Sequence, residues 1–354
     1  MIFYISFILI ISLLLLFDFF SKDKFNITGI VVVLIMTFVT GLRDNVGYDF
    51  QSYKIIYEEG FNLDKFELGF QWLIIALKYF NVSYYFLNLV MAFFTYLFLY
   101  LSIRRLTKHS NMAILIYLLI SGLFLNSLVI IRQAFAMSAT FYAFSFLIRK
   151  EYYRYIIFMI IAVAFHYTAV ILGLFHWLSL KYAKKLNTLH YLCAIGFSLL
   201  IAKLNIVNII SILFVGSKYA VYSGGESVSF VKLLVLNSFL ILMVLFSDRY
   251  ISKNENNSHY LFFTAIGIIM VNCFSSIIVI TRMAYYFRIF EIILIAEFIY
   301  LFTKKTRLMV LAAVYLFYFG IFYSSLNNDI NAVQDGPKLI PYKNVVIERM
   351  YELN

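Results

Sequence analysis

Residues 84–105 read YYFLNLVMAFFTYLFLYLSIRR. The first twenty carry no formal charge, and Arg104 and Arg105 close the run. Wound as an α-helix at about 1.5 Å per residue, such a run is ~30 Å long, the thickness of a bilayer's hydrocarbon core. It reads as a membrane span. Working outward, runs of the same kind lie at 2–20, 229–247, 260–280, 284–303 and 307–324, with shorter ones at 27–41, 111–126 and 188–204. The run 127–148 is long enough but contains Arg132. The composition agrees. Of 354 residues 63% are hydrophobic and only 13% charged, against about 25% charged in average soluble domains. Mean hydropathy is +0.88. Long apolar runs favour spanning helices over a barrel, whose strands would alternate apolar and polar residues. The only prolines are Pro337 and Pro341, so most of the chain has no helix breaker of that kind.

The first run lacks a basic leader and a small-residue cleavage site, and reads as a retained span. Cys193 and Cys273 lie in apolar runs and read as buried thiols, which leaves the redox compartment open. The net charge of +11 could suggest nucleic acid, but its distribution argues for topology. Basic clusters occur at Lys22/Lys24, Arg104/Arg105/Lys108, Arg149/Lys150/Arg154, Lys181/Lys184/Lys185, Arg249/Lys253 and Lys304/Lys305/Arg307. Short cytoplasmic loops collect such residues. All six fall inside if 67–80 is an interfacial or re-entrant helix on the outside, and if 155–180 crosses twice, turning near His166. The expected fold is an all-α polytopic membrane protein with about 12 spanning helices and both termini outside. It forms one membrane domain over 1–324, with outer loops 42–83 and 205–228, and an outer tail over 325–354. Nucleic acid is not an expected partner.

Charges at membrane depth are costly and face a cavity or a partner. Arg132, with Gln133 beside it, reads either as a cation facing a polar cavity or as a side chain snorkelling to the interface. Arg282 and Arg288 flank Met-Ala-Tyr-Tyr-Phe, which includes Tyr286. Arg288 and Glu291 are three apart and can pair on one helix face, whereas Arg282 has no such neighbour. A guanidinium binds phosphate oxygens through a planar fork without needing a metal. The loop Gly41-Leu-Arg-Asp-Asn-Val-Gly-Tyr-Asp-Phe-Gln-Ser-Tyr53 places Arg43, Asp44, Asp49 and Tyr53 just beyond the run 27–41. By composition it is an ordinary polar loop. His166 is either a hydrogen-bonded structural residue or a base at the turn it marks. No metal-binding, Walker A or dinucleotide motif is present, so no cofactor or metal is expected.

Four segments, in order, resemble the EpsG family. The loop 41–53 resembles its R-x-x-x-G-x-D-x-x-x-Y motif, and Phe66-Glu-Leu-Gly-Phe70, which contains Glu67, resembles F-E-x-G-F. Ile131-Arg-Gln-Ala-Phe-Ala136 is similar to R-Q-x-x-A, and Ala162-Val-Ala-Phe-His-Tyr-Thr-Ala169 to A-x-x-F-H-x-S-A. The segment Arg282 to Arg288 and the Pro341-Tyr342 tail match more loosely. Departures are Tyr48, where threonine often precedes the aspartate, and Thr168, where serine is common. EpsG proteins are similar to Wzy-type polymerases of exopolysaccharide, capsule and O-antigen. The resemblance implies a GT-C-like glycosyltransferase bundle in the bacterial inner membrane, with its site facing the periplasm. It implies a substrate of oligosaccharide repeat units on undecaprenyl diphosphate, and a chain-length regulator and a flippase as partners. On that reading Arg132, Arg282, Arg288 and Arg43 hold the diphosphate. His166 or Asp49 is the base, and Asp44, Tyr53, Glu67, Gln133 and Tyr286 support them. The reaction is metal-independent and inverting. A lipid-linked oligosaccharide flippase and a membrane acyltransferase are the competing readings. A flippase should show internal repeats, and none is visible. An acyltransferase would decorate the glycan without changing its length.

Overall fold

The computed structural model describes residues 1–20, 27–60, 62–204, 230–332 and 336–352. The stretch 205–228, expected from the sequence as an outer loop, and the Lys22/Lys24 cluster lie outside these residues. The described chain is all-helical, with no strand beyond an isolated bridge between Arg43 and Asn344. The helices are α1 (Ile2–Phe20), α2 (Ile27–Gly41), α3 (Phe50–Glu59), α4 (Leu68–Tyr79), α5 (Tyr84–Leu106), α6 (Ser110–Leu119), α7 (Ser121–Val129), α8 (Ile131–Leu147), α9 (Tyr152–Phe165), α10 (Ala169–Tyr182) and α11 (Thr188–Lys203). They continue with α12 (Phe230–Leu245), α13 (Ser247–Ile251), α14 (Asn257–Phe274), α15 (Ile278–Arg288), α16 (Glu291–Ile299), α17 (Lys304–Asn331) and α18 (Val345–Glu352).

Among the described residues, three helices, α5, α14 and α17, are long and apolar enough to cross a bilayer. The pair α6 and α7, bent by 70°, would make a fourth, and several shorter apolar helices accompany them. Large apolar side chains are exposed on these elements, such as Leu13 at 69% and Leu316 at 69%. Water would not tolerate so much outward apolar surface, but lipid does. The chain is a polytopic α-helical membrane protein.

Several expected spans are interrupted. The run 111–126 bends at Ile120, 127–148 breaks at Ile130, and 284–303 breaks at Ile289–Phe290. None of these breaks has a proline. The β-branched run Val129-Ile130-Ile131 is a weak helix former, and loop 42–49 packs against it. A Cβ on Gly47 would lie 2.8 Å from the Leu128 carbonyl oxygen, and the glycine's φ of +94° is one that L side chains rarely adopt. The stretch 155–180 divides at His166 into α9 and α10, as the sequence suggests. At twelve residues, about 18 Å, α4 is too short to span. Both cysteines are free, but Cys193 is exposed and Cys273 half-buried, so neither is the buried thiol expected.

Packing divides the chain into two compact units, Met1–Val170 with Lys304–Asn354, and Ile171–Thr303. Residues up to Asn331 extend α17, and the segment after it belongs to the first unit. In the first unit α5 lies between α2 and α8, and α8 packs on α9. Only Arg132 and Tyr142 of α8 are not fully buried. Its small residues Ala134, Ala136, Ser138, Ala139 and Ala143 allow this close approach. The basic ends of α5 and α8 meet: Arg105 pairs with Glu151 at 2.6 Å, and Arg149 donates to the Arg105 carbonyl at 2.9 Å. Two of the basic clusters therefore share one end of this unit. In the second unit, Ser198, Asn237 and Asn272 form a buried hydrogen-bonded network joining α11, α12 and α14.

Candidate active site

Arg132 is the second residue of α8, at the end remote from Arg149. Seventeen residues of helix put about 25 Å between the two ends. The N-terminus of a helix is its positive end, so a cation there calls for a carboxylate. Glu67 supplies it. Its Oε2 forms an ion pair with Arg132 Nη1. Its Oε1 accepts from His166 Nδ1 at 3.0 Å and from the Tyr167 backbone N–H at 3.3 Å. One carboxylate thus binds a guanidinium on one side and an imidazole on the other. The Arg132 Nε donates to the Tyr53 hydroxyl at 3.3 Å. Its guanidinium carbon lies 4.5 Å from the centre of the Phe66 ring and 5.6 Å from that of Phe70, within cation–π range.

Each segment that carried the resemblance contributes to this cluster. Tyr53 comes from the first turn of α3, Glu67 from the residue before α4, Arg132 from α8 and His166 from the break after α9. The close approach of α4 to α9 depends on Gly69, where a Cβ would lie 2.7 Å from the Ala164 carbonyl oxygen. Neither backbone can yield cheaply at that distance. Alanine favours helix by up to about 1 kcal/mol over glycine, but overpacking costs ~1–3 kcal/mol. We expect Gly69→Ala to lower the thermal midpoint and to weaken activity, because it moves Glu67 away from His166. Thermal unfolding of the purified protein checks this.

Glu67 lies in the loop before α4, outside the spanning helices. Burial opposes its ionisation, but the hydrogen bond from His166 and the Arg132 charge outweigh burial and hold its pKa down at about 2, against an ordinary 4.5. A carboxyl depressed in the folded state stabilises the fold above its ordinary pKa and loses that contribution as the pH falls. The wild type should therefore be more stable than Glu67→Gln above pH 4.5, with the advantage fading as pH approaches 2. Unfolding midpoints measured across that range test the assignment.

Other sequence candidates fare differently. Arg43 is fully buried, not at a rim: it donates to the carbonyls of Val46 and Thr40 and lies against Phe50. Through these bonds it holds the turn after α2. Asp44 accepts from the Tyr85 hydroxyl at 2.7 Å. Asp49 is half-buried at the start of α3, and Gln133 is buried beside Arg132. Arg282, Tyr286 and Arg288 belong to the second unit. Arg288 Nε donates to Glu291 Oε2 at 3.0 Å, so the pairing suggested by their spacing is present. Arg282 is exposed and Tyr286 buried. Arg132, read from the sequence as a cation facing a polar cavity or snorkelling to the interface, is partnered by Glu67 and Tyr53 through Nη1 and Nε. Phe66 and Phe70 were within a quoted motif, yet their place around the guanidinium was not foreseen. Among the described residues, no three His, Cys, Asp or Glu side chains converge as metal ligands.

Fold and cluster define an all-helical membrane protein with a shared carboxylate near one end of its first unit. A model of the EpsG family matches residues 26–344, and the chain belongs to that family. The family is related to Wzy-type polysaccharide polymerases, which connects this protein with polysaccharide biosynthesis. Neither the curated proteins nor the solved structures yield a match.

Proposed function

We propose that this protein polymerises oligosaccharide repeat units carried on undecaprenyl diphosphate, as an inverting glycosyltransferase. The observation that carries the proposal is the Glu67 carboxylate shared between Arg132 and His166, in a chain of the EpsG family. An ionised carboxylate can only accept, so His166 donates through Nδ1 and its Nε2 is left as a base. In the step proposed, an acceptor hydroxyl oxygen bonds to the anomeric carbon of the growing glycan. The bond from that carbon to the lipid diphosphate breaks, and the configuration inverts. The hydroxyl proton passes to Nε2 of His166, and the lipid diphosphate leaves with the electron pair. Positive charge must balance the leaving group. Arg132 can contribute through Nη2, which neither the Glu67 nor the Tyr53 bond uses. Guanidinium groups can carry this role in place of a metal ion.

The cluster lies at the end of α8 opposite the basic Arg105–Arg149–Glu151 end. If short basic loops face the cytoplasm, the site faces outward. We accordingly place it at the periplasmic side of the inner membrane, in a GT-C-like bundle of about 12 crossings. A chain-length regulator and a flippase would act beside it. The test is purified protein in lipid nanodiscs with an undecaprenyl-diphosphate-linked repeat unit. A ladder of products spaced by one unit supports the proposal. Transbilayer movement of the unit without chain growth overturns it in favour of a flippase.

A further inference from the structure

The segment after α17 returns to the loop that leads into the site. The Gly47 N–H donates to the Lys338 carbonyl at 3.1 Å, and the Asp44 N–H to the Lys343 carbonyl at 3.0 Å. The Val345 N–H donates to the Leu42 carbonyl at 2.9 Å. The Tyr342 hydroxyl donates to the Val39 carbonyl at 2.9 Å, and its ring stacks on Phe3. Residues 338–345 thus bond to the backbone of 39–47 along their length. The family match runs to residue 344 and so takes in all but the last residue of this strap.

Asp329, near the end of α17 and 5% exposed, joins strap and loop. Its carboxylate accepts from the backbone N–H groups of Leu339 at 3.1 Å and Ile340 at 3.2 Å. The same carboxylate accepts from the Tyr48 hydroxyl at 2.6 Å. Tyr48 immediately precedes Asp49, whose carbonyl accepts from the Tyr53 N–H at 3.1 Å, opening α3. Tyr53 in turn receives the Arg132 Nε. A short hydrogen-bonded path therefore leads from Asp329 through Tyr48 and the first turn of α3 to the guanidinium. Buried charge-assisted hydrogen bonds of this kind fix geometry more firmly than neutral ones.

We propose that Asp329 and Tyr48 are positioning residues: with the strap 338–345 they clamp loop 42–49, and so set where Tyr53 holds Arg132. The role in catalysis rests on the polymerase reading, but the clamp itself does not. The experiment uses full-length protein carrying Tyr48→Phe or Asp329→Asn, with Tyr53→Phe for comparison. Hydrogen–deuterium exchange reads the loop directly. The clamp predicts faster exchange, at least tenfold, in 42–53 for both variants, with α8 and α9 unchanged. Unchanged exchange in 42–53 overturns it whatever the activity, as does acceleration spread evenly over the first unit. Polymerisation provides the second readout. Tyr48→Phe should cut kcat at least tenfold. Combined with Tyr53→Phe it should cost little more than Tyr53→Phe alone, since both act on one path. Multiplicative losses would refute the path. If exchange changes as predicted while the wild type makes no polymer, the clamp stands and only the polymerase reading fails.

Discussion

Replacing Glu67 by glutamine should lower the proposed polymerisation at least a hundredfold and destabilise the protein, and the two effects can be separated. Glutamine keeps the size of the side chain, but Arg132 loses its counter-charge and His166 loses the ionised acceptor on Nδ1. The pair is well shielded, with side chains 18% and 6% exposed. Removing one member of a buried ion pair costs about 3–5 kcal/mol, because the other charge is left without compensation. A stability defect alone would therefore be an ambiguous result. Glu67→Gln/Arg132→Met removes both charges, and methionine fills much of the arginine's apolar volume beside Phe66 and Phe70. We expect the double variant to recover most of the thermal midpoint lost by the single one, yet to remain inactive. Recovery of both stability and polymer would show that the ion pair only holds α4 to α8. The competing flippase reading is separated in the same experiment, since neutralising Glu67 there alters transport without changing any product ladder.

Much of this was legible in the chain before any coordinates. The run 84–103 forms a helix long and apolar enough to span, because a charge-free stretch of that length satisfies its backbone internally and favours lipid. The Arg288–Glu291 pair followed from helical spacing, which is local. The cluster around Glu67 was not local. Glu67 meets Arg132 across 65 residues and His166 across 99, and no periodicity connects positions so far apart. The motifs supplied the names without the contacts. The full burial of Arg43 is not local either, since its backbone bridges to Asn344. The breaks at Ile130 and Ile289 carry no proline or glycine. At Ile130 the cause is tertiary, a loop glycine pressed on the last carbonyls of α7, and a reading based on local helix breakers passes over it.

His166→Ala should reduce kcat by about 10²–10⁴, the usual contribution of a general base, while leaving KM nearly unchanged and lowering the thermal midpoint less than Glu67→Gln does. The reasoning turns on what remains after the substitution. Glu67 keeps its ion pair with Arg132 and its hydrogen bond from the Tyr167 backbone. The fold therefore loses one side-chain hydrogen bond to a charged group, worth about 1.5–3 kcal/mol, at a position already outside regular helix. A structural histidine would give the opposite pattern, a lower midpoint and little change in kcat. Added imidazole sharpens the comparison, because a small base diffusing into the space left by the side chain can accept the hydroxyl proton. Partial rescue that rises with the concentration of neutral imidazole, in His166→Ala but not in Glu67→Gln, identifies the missing group as a base. Asp49→Asn is the control for the other candidate. If Asp49→Asn shows the larger kcat loss and imidazole restores nothing to His166→Ala, the base is Asp49, and the Glu67–His166 pair serves only to anchor the break between α9 and α10.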